Sequence, residues 1–121
     1  MPQLEVIFYR DDDRVFVRQW LRTLPIKAQM KCLTYIAQLE MHGHALRRPV
    51  ADFLRDGIYK LRPSYQGIQY RILYFFSGTA VVVLSHGITK EGAVPDAEID
   101  RAIVRKKRFA ADPKGHTYKR A

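Results

Sequence analysis

The stretch GIYKLRPSYQGIQYRILYFF, residues 57–76, places Lys60, Arg62 and Arg71 inside two otherwise strand-like runs. Side chains alternate between the two faces of a strand, so Lys60 and Arg62 share one face while Tyr59 and Leu61 take the other. Arg71 shares a face with Leu73. A hairpin register that sets Arg71 beside Lys60 and Arg62 collects three cations on one patch of sheet. Like charges that close cost free energy unless an anion offsets them. Phosphate is the natural ligand for such a group. The competing arrangement is that these side chains pair with Asp52, Asp56 or Glu91, or extend their stems so that the charges reach water.

Two further residues could join this chemistry. Lys90 follows Gly87-Ile88-Thr89 and is expected at the rim of the same concavity. Of the four histidines, His42 and His44 flank a glycine that ends a helix and His116 lies near the C-terminus. His86 closes an apolar strand and is the one expected near the cationic face, either in proton transfer or as a hydrogen-bonded structural residue. The carboxylates are scattered and do not pair with histidine at ligand spacing, so no metal is expected. Neither a phosphate-cradling glycine loop nor any other cofactor motif is present.

These residues need a scaffold. Leu4–Arg10 is rich in β-formers and predicts a first strand. Asp11–Asp13 is a polar break, with Asp13 placed to cap a helix. Val17, Trp20, Leu21 and Leu24 follow the i, i+3, i+4, i+7 spacing of a helix, and Pro25 ends it and opens the next. Ile26, Met30, Leu33, Ala37 and Met41 recur at helical spacing as far as His42, and Gly43 is a natural stop. Residues 13–42 therefore predict a helical hairpin whose apolar stripe packs on a sheet. Residues 43–57 carry little regular signal and read as a loop.

Three strands follow at 57–62, 69–76 and 80–86, joined by PSYQGI and by Ser77-Gly78. AVVVLSH is almost uniformly apolar, as suits a central strand buried on both faces. Ile99, Ala102, Ile103 and Lys106 mark a last helix, with Asp96 as its cap and Glu98 in the favourable first turn. The order β-α-α-β-β-β-α is that of an α+β domain over residues 1–112. Its helical hairpin packs on a small twisted antiparallel sheet. Residues 113–121 are expected to form a basic, flexible tail.

A chain of 121 residues suits one domain. Its 21 Lys and Arg against 12 Asp and Glu, net +9, favour a polyanionic partner. From Arg101 onward eight cations face Asp112 alone, a net +7. Arg105, Lys106, Lys107 and Arg108 are the densest part and the expected RNA-contacting run, although composition alone equally suits an acidic protein. Cys32 is the only cysteine, which forbids an intramolecular disulfide and a cysteine-based zinc site. That fits a reducing cytoplasm. With no apolar run near the ~20 residues of a membrane span and no signal-peptide pattern, cytoplasmic localisation is expected.

Taken in order, these segments resemble a known family. Gly57, Tyr59, Leu61 and Arg62, then Tyr70 to Phe75, then His86, Gly87 and Lys90, then Pro95, Glu98, Ile99 and Ala102 are similar to motifs of the RelE/HigB superfamily of bacterial toxins. The likeness is nearest to its phage-derived HigB-like branch and covers about residues 4–110. Lys60 stands where that branch often has glutamate, Ile88 where it has phenylalanine, and Glu91 where it has a second lysine.

The resemblance implies a RelE-like, microbial-RNase-type fold and the toxin of a type II toxin–antitoxin pair. It further implies a metal-independent endoribonuclease that cuts mRNA on the ribosome. The implied partner is a cognate antitoxin, with a helix-turn-helix domain and encoded alongside. In that setting Lys60 or Lys90 is the expected base, Arg62 and Arg71 hold the phosphate, and His86 or a tyrosine supplies the acid. A ParE-like gyrase inhibitor that is no enzyme, or a degenerate toxin that only binds antitoxin, is the alternative. A DNA-binding regulator fits less well, because no helix-turn-helix pair is apparent.

Overall fold

The computed structural model describes residues 4–89 and 92–120. Chain order is β1 (Glu5–Asp11), β2 (Arg14–Val15), α1 (Phe16–Arg22), α2 (Ile26–His42), β3 (Ala51–Arg55), β4 (Ile58–Leu61), β5 (Ser64–Tyr65), β6 (Ile68–Ser77), β7 (Val81–Thr89), α3 (Asp96–Ala111) and β8 (Thr117–Lys119). The eight strands form one sheet in the order β2-β1-β7-β6-β4-β3, with β5 added to β6 and β8 to β1. All pairings are antiparallel except β1 with β7, where Glu5 to Phe8 run parallel to Val81 to Leu84. No helix among the described residues is long and apolar enough to cross a membrane.

The sheet is covered on both faces, giving three layers and an α+β fold as expected. On one face Val6, Phe8, Leu61, Ile72, Tyr74, Val82 and Leu84 pack with Val17, Leu21, Ala28, Cys32, Ile36 and Leu39 of α1 and α2. On the other, Ile7, Tyr9, Ile58, Leu73, Phe75 and Val83 pack with Ile99, Ala102 and Phe109 of α3. The uniformly apolar β7 lies between β1 and β6 and feeds both layers, which explains its lack of alternation. Trp20 of α1 lies so close over β7 that a Cβ on Gly87 would sit 2.1 Å from its ring, so residue 87 has room only for glycine.

Several expectations need correction. The stripe Ile26, Met30, Leu33 and Met41 does not face the sheet: these side chains are 70%, 60%, 47% and 65% exposed. The core face of α2 is Ala28, Cys32, Ile36 and Leu39. Two apolar stripes of the same helical period run along opposite sides of one helix, and the inner one uses smaller side chains that admit close packing. Asp13 caps nothing; it lies in the turn from β1 to β2, and Val15 is the N-terminal neighbour of α1. Pro95 rather than Asp96 holds that position for α3, leaving Asp96 and Glu98 in its first turn.

Residues 51–55, read as loop, form β3. The hairpin to β4 turns at Asp56 (φ 53°) and Gly57 (φ 80°), the paired positive φ angles of a type I′ turn. The segment read as a simple PSYQGI turn is itself a small hairpin, with Ser64 opposite Gln69 and Tyr65 opposite Ile68. The tail expected to be flexible is also structured. Lys114–His116 makes a 3-10 turn, and β8 then runs antiparallel to β1. Tyr118 anchors it by stacking on Phe8 (6.2 Å) and accepting a hydrogen bond from Arg18 (2.6 Å).

Candidate functional site

The register of β4 on β6 sets Lys60 opposite Leu73 and Leu61 opposite Ile72, so Arg62 comes alongside Arg71 one step further on. Lys60, Arg62 and Arg71 therefore gather on the α3-side face, with Tyr59 and Leu61 on the other, as alternation predicts. Lys60 is only 9% exposed and Arg71 4%, while Arg62 is half-buried. Arg71 donates to the Tyr70 carbonyl at 2.9 Å and to Gln69 Oε1, and Arg62 donates to the Pro49 carbonyl at 3.2 Å. The Nε atoms of both arginines are buried without a partner.

Among the described residues no carboxylate forms a salt bridge with any of the three. Asp52 is held by Arg48 at 2.7 Å and Asp56 by Arg55 at 3.1 Å, so neither pairs with the cluster. Asp52 does act on Lys60 through its field, but weakly. Burial first, then the charges of Arg71 and Arg62, hold the Lys60 ammonium below the ordinary lysine range. Arg71 is lowered likewise, by burial and then by Arg62. Lys90 and Glu91, respectively a candidate base and a candidate counter-ion, lie outside the described residues.

His86 stands two strands from Lys60 on the same face, with Leu73 between them. A bulge positions it: Leu73 pairs with His86 and Tyr74 with Leu84, leaving Ser85 extra. His86 Nδ1 meets Ser85 Oγ at 2.8 Å and Nε2 meets Glu98 Oε1 at 3.0 Å. Both ring nitrogens are occupied and the residue is 6% exposed. Burial, then the nearby Arg105 charge, lowers its pKa to about 4. At neutral pH it is a fixed, uncharged imidazole, which does not suit the proton-donor role expected for it. Ser85 and Glu98 were not singled out as its partners. Glu98 was visible as a first-turn helix acid and as one residue of the family resemblance, and nothing in the spacing pointed to the bulge that turns Ser85 inward.

The basic run of α3 is divided by the helical period. Arg105 points inward, 8% exposed, with its guanidinium 3.9 Å from the Phe16 ring centroid. Lys106 donates to the Asp56 carbonyl at 3.2 Å. Arg108 lies 3.6 Å from Asp11 and, like Lys107, is exposed. The expected four-residue run is thus split, with Lys106, Lys107 and Arg108 at the surface and Arg105 buried beneath them. Among the described residues no three His, Cys, Asp or Glu side chains cluster closely enough to hold a metal ion.

The family model for phage-derived Gp49-like proteins (DUF891) matches residues 19–107, a span from α1 through most of α3 that includes every residue of the strand-face cluster. No curated protein matches the chain.

Proposed function

The chain belongs to the phage-derived Gp49-like family, a RelE-like family associated with toxin–antitoxin systems, and on that premise we propose that it is the toxin of such a pair and an endoribonuclease that cuts mRNA at the ribosome. A cognate antitoxin is then its protein partner. The observation that carries this reading is the group Lys60, Arg62 and Arg71: three cations on one sheet face, two of them buried, with no salt-bridged carboxylate among the described residues. Such a group is costly to fold and is offset by an anion.

RNA cleavage without a metal needs a base to take the 2′-OH proton and positive charge around the pentacovalent phosphorus. Lys60 fits the base. Its pKa is lowered by burial and by its two arginine neighbours, so a larger fraction is neutral and able to accept a proton at neutral pH. Arg62 and Arg71 fit the second role, since a guanidinium keeps its charge and forks toward paired phosphate oxygens. The half-buried Arg62 is the member through which a phosphate gains access. Lys90 would add a second lysine to this set.

The test is expression in the absence of antitoxin. Wild type should arrest growth, whereas Arg62→Ala and Lys60→Met should not, while circular dichroism and melting show all three folded. Equal growth arrest by the folded variants would remove the assignment.

A further inference from the structure

A second place on the molecule holds two cations, Arg14 and Arg105, that form no salt bridge with a carboxylate among the described residues. It is a cleft of about 670 Å³ between α1, the end of β7 and α3, within the size range of small-ligand sites. Arg14, Phe16, Trp20, His86, Arg101 and Arg105 line it. Two acids also border it, and both are engaged. Glu98 accepts from Arg101 at 2.6 Å and meets His86. Asp11 accepts from the Tyr9 hydroxyl at 3.0 Å and lies 3.2 Å from His116 and 3.6 Å from Arg108.

Arg14 and Arg105 are left with no salt bridge to a carboxylate among the described residues. Their guanidiniums lie 4.9 Å and 3.9 Å from the centroid of the same Phe16 ring. Arg105 is more than nine-tenths buried, and its one hydrogen bond among the described residues, to Ser85 Oγ, is 3.5 Å long. Contact with an aromatic ring returns only part of a cation's lost hydration. Taking a cation out of water costs several kcal/mol. The rings offset part of that cost and the fields of Asp11 and Glu98 a further part, and an anion seated in the cleft adds to both.

The cleft neighbours the strand-face cluster. Ile88 lines it and pairs directly with Arg71 on the neighbouring strand, a spacing of about 5 Å. A chain of phosphates that reaches Arg62 and Arg71 therefore approaches the cleft across β7, with Arg105 of α3 on its wall and Arg14 of β2 on its far side. Trp20, half-buried with its ring on the cleft wall, offers a base a surface to stack on.

We propose that this cleft is a second subsite for single-stranded RNA, in which Arg14 and Arg105 hold the phosphate of a nucleotide flanking the scissile one and Trp20 stacks its base. The subsite deepens the nuclease reading above and rests on it.

Trp20 is the only tryptophan, so its fluorescence reports this cleft alone. The probe is a short single-stranded 2′-O-methyl oligoribonucleotide, which cannot be cut because it lacks a free 2′-OH, carrying a 5′ dye and titrated into the full chain. Dye anisotropy reads total binding and Trp20 emission reads the cleft. Binding should quench Trp20 saturably. Arg14→Ala, at an exposed position, should weaken affinity roughly tenfold and make the log K against log salt slope shallower by about 0.7. An abasic oligonucleotide should bind through its phosphates without the quench.

Anisotropy that rises with no change in Trp20, and equally in Arg14→Ala, would overturn the subsite while leaving the strand-face reading in place. A quench that persists in Arg62→Ala at unchanged affinity would keep the subsite and remove the strand-face cluster from RNA binding. No signal in either channel would overturn the subsite.

Discussion

At the scale of single residues, the molecule keeps charges where folding alone disfavours them. Lys60 illustrates the trade. Its ammonium is destabilised by burial and by two arginines, so the folded state carries a cost that methionine would not. Lys60→Met should therefore raise stability by roughly 0.5–2 kcal/mol in urea unfolding while lowering RNA cleavage by about 10²- to 10⁴-fold. In the wild type, cleavage rate should climb with pH as Lys60 loses its proton, with the inflection below that of a free lysine. His86 makes the opposite kind of prediction. Its folded pKa, about 4, lies below the 6.5 of the free side chain, so its contribution is present above about pH 6.5 and lost as pH falls toward 4. Between pH 7.5 and pH 5 the loss should be on the order of 2 kcal/mol. The check is urea unfolding at both pH values in wild type and His86→Gln. The variant should show the smaller drop, and an equal drop would contradict the neutral, enclosed imidazole.

At the scale of elements, α2 separates what patterning reveals from what it hides. Helical spacing marks the helix from residue 26 to residue 42 correctly, yet both of its faces carry an apolar stripe, and the bulkier one faces outward. Ile36→Ala, in the inner stripe, should cost about 2–5 kcal/mol. Met30→Gln, in the outer stripe, should stay within about 0.5 kcal/mol. Comparing their urea midpoints decides which face is the core. The strand face was legible because alternation has a period of two and tolerates no second solution: once Tyr59 and Leu61 face α1 and α2, Lys60 and Arg62 must take the opposite face. β3 was missed although Asp56-Gly57 is a hairpin signal, because ADFLR alternates poorly and Phe53 is exposed. β8 was missed because a three-residue strand anchored by Tyr118 on Phe8 depends on a partner more than 100 positions away. His86 was legible as a residue near the site, but not as one whose ring nitrogens are both taken, since that depends on a bulge and on a glutamate from another element.

At the scale of the whole molecule, the sheet works as a two-sided partition. One side is spent on α1 and α2. The other carries α3, and also the two groups of cations that no salt-bridged carboxylate balances among the described residues, joined through Arg71 and Ile88. A net charge of +9 favours a polyanionic partner, and in the proposed function the buried arginines hold its phosphates. The central claim is that the polyanion is mRNA and that the protein cuts it. Primer extension on cellular mRNA after induction, without antitoxin, tests that most directly. Wild type should produce new 5′ ends within minutes and Lys60→Met should produce none. Intact mRNA in growth-arrested cells that show a DNA-damage response would contradict the account and favour a gyrase-binding toxin.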